Sequence, residues 1–253
     1  MTTTRVYIDS TVTATRSLGR ITFPITALPN LVPGMILQFD VDSTGSLVRN
    51  RVGGDMTVIG SPVVSDYEVS LNETNYIDTG INIEPYSAGD MTFIGISKNP
   101  GGKFNVVGVM QVSPPMRTRC HEYEIAKRVG GRWLNSAGAG WISVLDTTPT
   151  EALALDSIFA VSRTVVDIKD GTGRLGIHAD IPATGQHALV PYGTVAPASI
   201  TGNILIGASI DHGTTVTGKI MAVLAFNRAI TDEEMSLIYQ AYKNHYAALG
   251  KKI

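Results

Sequence analysis

The sequence predicts an all-β protein, an antiparallel β-sandwich or jelly roll of two packed sheets closed by one C-terminal helix. Three observations predict it. Apolar and polar residues alternate in roughly a dozen short runs, the period of a half-buried strand. Glycine, 26 residues of it, joins Asn and Asp in breaking those runs at close spacing. Helical spacing appears only beyond residue 230. Successive strands without intervening helices pack as sheet on sheet rather than as a parallel α/β fold.

The elements follow in chain order. Arg5 to Asp9 and Ser17 to Pro24 read as two strands, Ile21 and Phe23 sharing a face of the second. With their Thr-rich surroundings they form either an arm that pairs with a neighbouring subunit or a terminal strand of the domain's own sheet. Pro29-Asn30-Leu31-Val32-Pro33-Gly34 is a linker-like break. The expected division is therefore an N-terminal strand-like arm over 1–33 and a sandwich domain over 34–253. Met35 to Asp42 is a strand with Met35, Leu37, Phe39 and Val41 inward and Gln38, Asp40 and Asp42 outward. After the turn at Asn50 to Gly54, strands are expected at Tyr76 to Gly80, Asp90 to Lys98 and Phe104 to Val112. Others follow at Tyr123 to Val129, Gly131 to Trp133, Gly140 to Val144 and Ser157 to Ile168. Asp170-Gly171-Thr172-Gly173 then turns the chain into Arg174 to Ile181 as a hairpin. Residues 182–199 read as loop.

The C-terminal stretch organises the rest. Ile204, Ile206, Ala208 and Ile210 alternate on a strand, and a turn at Asp211-His212-Gly213 follows. Thr217 to Phe226 is apolar on both faces, with Ile220, Ala222, Leu224 and Phe226 on one and Met221, Val223 and Ala225 on the other. Such a strand sits centrally in a layered sheet. Thr231 with Glu234 makes a capping box, and Asp232, Glu233 and Glu234 favour the positive end of the helix dipole. Met235, Ile238, Tyr239, Tyr242 and Tyr246 form one apolar stripe on that helix.

Gly-x-Ile, an apolar strand and then Phe226-Asn227-Arg228-Ala229-Ile230-Thr231-Asp232-Glu233-Glu234 resembles the end of a concanavalin A-like lectin/glucanase domain of the laminin-G-like or pentraxin-like kind. Tyr76-Ile77-Asp78-Thr79-Gly80 is similar to the step before that family's first long core strand. The resemblance implies a sandwich starting near Gly34.

Composition bounds the function. Hydrophobic residues at 43% and charged residues at 17% belong to a globular chain with a sizeable core. A net charge of −2 leaves no electrostatic footprint for nucleic acid. No apolar run is long enough to span a bilayer. Cys120 is the lone cysteine, so no internal disulfide forms; it reads as a small buried filler rather than a catalytic thiol. The N-terminus has no apolar segment of signal-peptide length, and the expected route is synthesis in a cytoplasm and assembly into a particle.

Chemistry is sought in three places. The resembled family includes glycoside hydrolases, and retaining ones hold two carboxyl groups roughly 5 Å apart. Glu122 and Glu124 on one strand face are the candidates, but the third acid of the glucanase pattern is missing. A solvated face is the plainer reading, so no catalytic residue is assigned. Many domains of the resembled class hold calcium at the rim, where Asp167, Asp170, Asp180 and Asp211 could contribute; turn capping is the plainer role for each. The five histidines show no zinc spacing. For sugar, Trp133 and Trp141 flank a Gly-rich loop beside Arg132 and Asn135, an aromatic-polar cluster whose alternative is core packing of both tryptophans.

The resulting expectation is a non-catalytic carbohydrate-binding or structural module. Its expected setting is a bacteriophage tail, fibre or baseplate, with a bacterial surface glycan or other virion proteins as partners and a homo-oligomeric state. No cofactor other than a calcium ion is expected. A glycoside hydrolase with an unfamiliar site and a purely architectural subunit are the rival readings.

Overall fold

The computed structural model describes residues 24–111, 117–125, 127–134, 140–147, 155–166, 176–191, 200–208 and 216–253. Among the described residues fifteen strands form two antiparallel sheets packed face to face. The first sheet contains β1 (Met35–Asp40), β3 (Val63–Ser65), β4 (Glu68–Leu71), β6 (Met91–Lys98), β11 (Ile158–Val165), β12 (Gly176–Ile181), β13 (Gln186–Val190) and β15 (Gly218–Phe226). The second contains β2 (Thr57–Ile59), β5 (Tyr76–Asn82), β7 (Phe104–Gln111), β8 (Arg117–Ile125), β9 (Arg128–Leu134), β10 (Gly140–Asp146) and β14 (Asn203–Ile206). The orders are β13-β12-β11-β6-β15-β4-β3, with β1 also on β15, and β10-β9-β8-β7-β14-β5-β2.

Two apolar layers result. Between the sheets lie Phe39, Val69, Phe93, Phe104, Val107, Tyr123, Ile206 and Val223 among others. Outside the first sheet, the helix α2 (Asp232–Ala248) lays Ile238, Tyr239, Tyr242 and Tyr246 on Ile94, Ile96, Phe159, Val161 and Leu224. The short helix α1 (Leu28–Leu31) joins that layer, with Ile25, Leu28 and Val32 buried in it. The expected central strand is β15, which pairs with β6, β4 and β1 and carries apolar side chains into both layers.

The capping box is present in full. Thr231 Oγ1 accepts from Glu234 N–H at 3.2 Å, and Thr231 N–H donates to Glu234 Oε2 at 2.9 Å. Arg228 explains the residues ahead of it. Its guanidinium donates to both Glu234 oxygens, at 2.6 and 2.8 Å, and to the Pro33 carbonyl at 2.8 Å. One arginine thereby ties the helix start to the chain just before β1.

Several boundaries differ from the sequence reading. A bulge between Ile220 and Ala222 turns Ile220 towards the inter-sheet core, away from Ala222, Leu224 and Phe226. A second bulge, after Met35, moves that residue into the helix layer while Leu37, Phe39 and Val41 face between the sheets. Gln38 and Asp40 lie on the outer face as expected, yet that face is covered: Gln38 Nε2 donates to Ile25 O at 2.9 Å and Tyr242 Oη at 3.2 Å. Gly130, with Gly131 after it, does not break the chain between two strands. Both residues sit inside β9, where a Cβ on Gly130 would lie 2.0 Å from the Ser143 carbonyl and one on Gly131 would lie 2.8 Å from Ile177. The turn is at Lys127, with φ +75°. β13 falls in the stretch read as loop. Residues 1–23 and the turns at Asp170 and Asp211 lie outside the described residues.

Candidate functional site

Two members of the expected sugar-binding cluster, Arg132 and Trp133, lie on β9 beside the rejected catalytic pair on β8. Cys120, Glu122 and Arg132 share the outer face of the second sheet, where Cys120 pairs in register with Arg132. Arg132 Nε donates to Glu122 Oε1, and Glu122 is fully buried. This corrects the solvated-face reading of Glu122. A carboxylate taken out of water survives beside a cation that also hydrogen-bonds it. Glu124 is partly buried and lies 3.9 Å from Arg128. The strand period alone cannot show that an outer face is covered.

Trp133 faces between the sheets at 1% exposure, against Ile177. It therefore stands in the core, the alternative weighed for it, and offers no free ring face. Arg119, in register with Trp133, places its guanidinium carbon 5.2 Å from that ring. The same guanidinium donates to the carbonyls of Ser87 at 2.8 Å, Gly89 at 2.7 Å and Tyr86 at 3.3 Å, pinning that loop to the sandwich. Sequence reasoning missed Arg119; its one available signal was a basic residue at an inward position between Arg117 and His121. Trp141 pairs with Trp133 in the ladder, while Asn135, Asp167, Asp170 and Asp211 lie outside the described residues.

Asp180, the remaining metal candidate, is already engaged. Arg163 Nη2 donates to its Oδ2 at 2.9 Å, and His187 Nδ1 lies 2.7 Å from its Oδ1. Arg163 also reaches Asp232 in the first turn of α2. Among the described residues no group of three His, Cys, Asp or Glu side chains comes together as a metal site.

Inside the sandwich, His121 is fully buried, with Nδ1 2.5 Å from Ser162 Oγ on β11. Its Nε2 has no hydrogen-bond partner among the described residues, and Gly95 leaves room for the ring, since a Cβ there would lie 3.0 Å from its Cδ2. Burial lowers the imidazole from 6.5 to about 3, so it is neutral. Burial likewise pushes the neighbouring Tyr123 hydroxyl up to about 12. Neither group is set for proton transfer with a solvent-borne substrate.

No family model matches the chain, and no curated protein matches it. Solved structures do. Trypanosoma rangeli sialidase in complex with 2,3-difluorosialic acid is similar over 83% of this chain and 33% of its own, at 12% identity and a TM-score of 0.55. The botulinum neurotoxin serotype D binding domain matches over 83% and 51%, at 16% identity and 0.55. The receptor binding domain of botulinum neurotoxin D matches over 83% and 53%, at 15% identity and 0.53. The chain thus spans about a third of the sialidase chain and half of the neurotoxin chains. At these identities the likeness shows the fold alone, a β-sandwich.

Proposed function

We propose that this chain is a non-catalytic carbohydrate-binding β-sandwich. The observation that supports it is the state of Glu122, the best-placed carboxylate for glycoside chemistry: it is buried, and its oxygen is spent on Arg132. General acid or base work needs a carboxyl group that can reach the glycosidic oxygen or a water. The neighbours add support, since they include a sialidase with sialic acid bound and a receptor binding domain. In this reading Trp141 is the aromatic platform, Asn135 a polar partner, and Arg132 a partner through whatever its bond to Glu122 leaves it. A calcium ion on Asp167, Asp170 and Asp211 remains part of the proposal. The setting we propose is a phage tail or fibre, with residues 1–23 joining copies of the chain.

A glycan array decides the binding, with Trp141→Ala losing signal while melting normally. Hydrolysis of β-glucans or bacterial polysaccharides that disappears in Glu122→Gln would establish the hydrolase reading instead.

A further inference from the structure

A small cleft lies at the end of the sandwich away from the tryptophans. It is lined by Lys98, Asn99, Thr147, Asp156, Ser157 and the aliphatic side chains of Leu155 and Ile158, and it holds about 130 Å³. The topology gathers these residues: Lys98 ends β6, Thr147 follows β10, and Ser157 precedes β11, whose Ile158 pairs with Ser97. Asn99 Nδ2 donates to Thr147 Oγ1 at 3.4 Å, joining the two sheets across this end.

We propose that this cleft binds the edge of one sugar ring through two neighbouring hydroxyls, as a site separate from the tryptophan loop. The inference rests on reading the chain as a carbohydrate-binding module. Four features carry it. Ser157 is 1% exposed and its hydroxyl has no partner among the described residues, whereas buried hydroxyls are normally bonded. An ammonium and a carboxylate line the same cleft. Lys98 reaches Glu68 at 2.7 Å, but Glu68 is also held by Lys219 at 2.6 Å, so two ammonium groups share one carboxylate. Asp156 accepts from Lys252 N–H through Oδ2 at 2.8 Å, leaving Oδ1. A sugar hydroxyl accepts from a cation and donates to a carboxylate at once, which neither a simple anion nor a simple cation does. Leu155 and Ile158 suit the C–H face of a ring. The volume is well below the roughly 300–1,000 Å³ of sites that enclose a whole drug-sized ligand, so one ring edge enters.

Amide chemical-shift mapping on the full chain tests this, titrating the methyl glycosides of glucose, galactose and mannose, with glycine and acetate alongside. The expected result is that at least one glycoside shifts Asn99, Thr147, Asp156 and Ser157. Asp156→Asn then weakens the effect by about tenfold or more, the loss of one charge-assisted hydrogen bond. Lys98→Met reads the same loss without touching the Lys252 contact. If glycine or acetate shifts these amides and the glycosides do not, the cleft binds a different chemistry and the proposal is overturned. Glycoside shifts confined to the region of Trp141 overturn the cleft but leave the carbohydrate module standing. No shift anywhere from any glycoside overturns both.

Discussion

Lowering the pH should destabilise this protein through His121, before its carboxylates titrate. The folded chain holds the imidazole neutral, its value lowered from 6.5 to about 3 because desolvation disfavours the cation. The unfolded chain takes up a proton near 6.5, so the unfolded state binds more protons throughout the window between these values. Stability is therefore complete above the unfolded value and is lost as the pH falls below it. From pH 7 to pH 5 the integrated difference is about 2 kcal/mol. Urea unfolding at pH 7, 6 and 5 measures it. The comparison is His121→Asn, whose amide can still face Ser162 Oγ but does not titrate. His245, half-buried and also lowered by burial, is common to both proteins and cancels. The variant should be less stable at pH 7, because it leaves a small cavity, and should lose about 2 kcal/mol less on acidification. Equal pH slopes for the two proteins would refute the reasoning: His121 would then be charged or hydrated in the native state.

Four further outcomes are expected. Thr231→Ala should cost about 1 kcal/mol in chemical denaturation through the lost cap, and Glu234→Ala more, since it also releases Arg228. Arg132→Met should cost about 3–5 kcal/mol by leaving Glu122 buried and unpaired by its cation, with partial recovery in the double variant with Glu122→Gln. Trp133→Ala should cost about 3–5 kcal/mol, read as a fall in melting temperature, whether or not any glycan binds. Deleting residues 1–23 should lower the oligomeric state in light scattering and leave the fold intact. Deletion through residue 33 should destabilise it as well, because Ile25, Leu28 and Val32 pack in the helix layer.

Much of this fold was legible in the sequence, because the signals are local. The capping box needs two side chains three residues apart, and the central strand announces itself by being apolar on both faces. The helix stripe Met235, Ile238, Tyr239, Tyr242 and Tyr246 follows from 3.6 residues per turn; the last four are buried and Met235 packs half-buried beside them. Tertiary packing decided the rest. Gly130 reads as a break between two strands, yet it lies within β9 with Gly131, at positions where neighbouring strands leave no space for a Cβ. The bulge between Ile220 and Ala222 moved Ile220 and Met221 each to the layer opposite the one expected, since register belongs to the ladder of three partner strands rather than to β15 itself. The site was least legible of all. Glu122 alternates correctly for an outward position, but whether outward means solvated depends on what covers the sheet and on an arginine ten residues away. Trp133 was either core or platform until β12 set Ile177 against it. Alternation along a strand names two faces; only the packing of distant segments determines which of them water reaches.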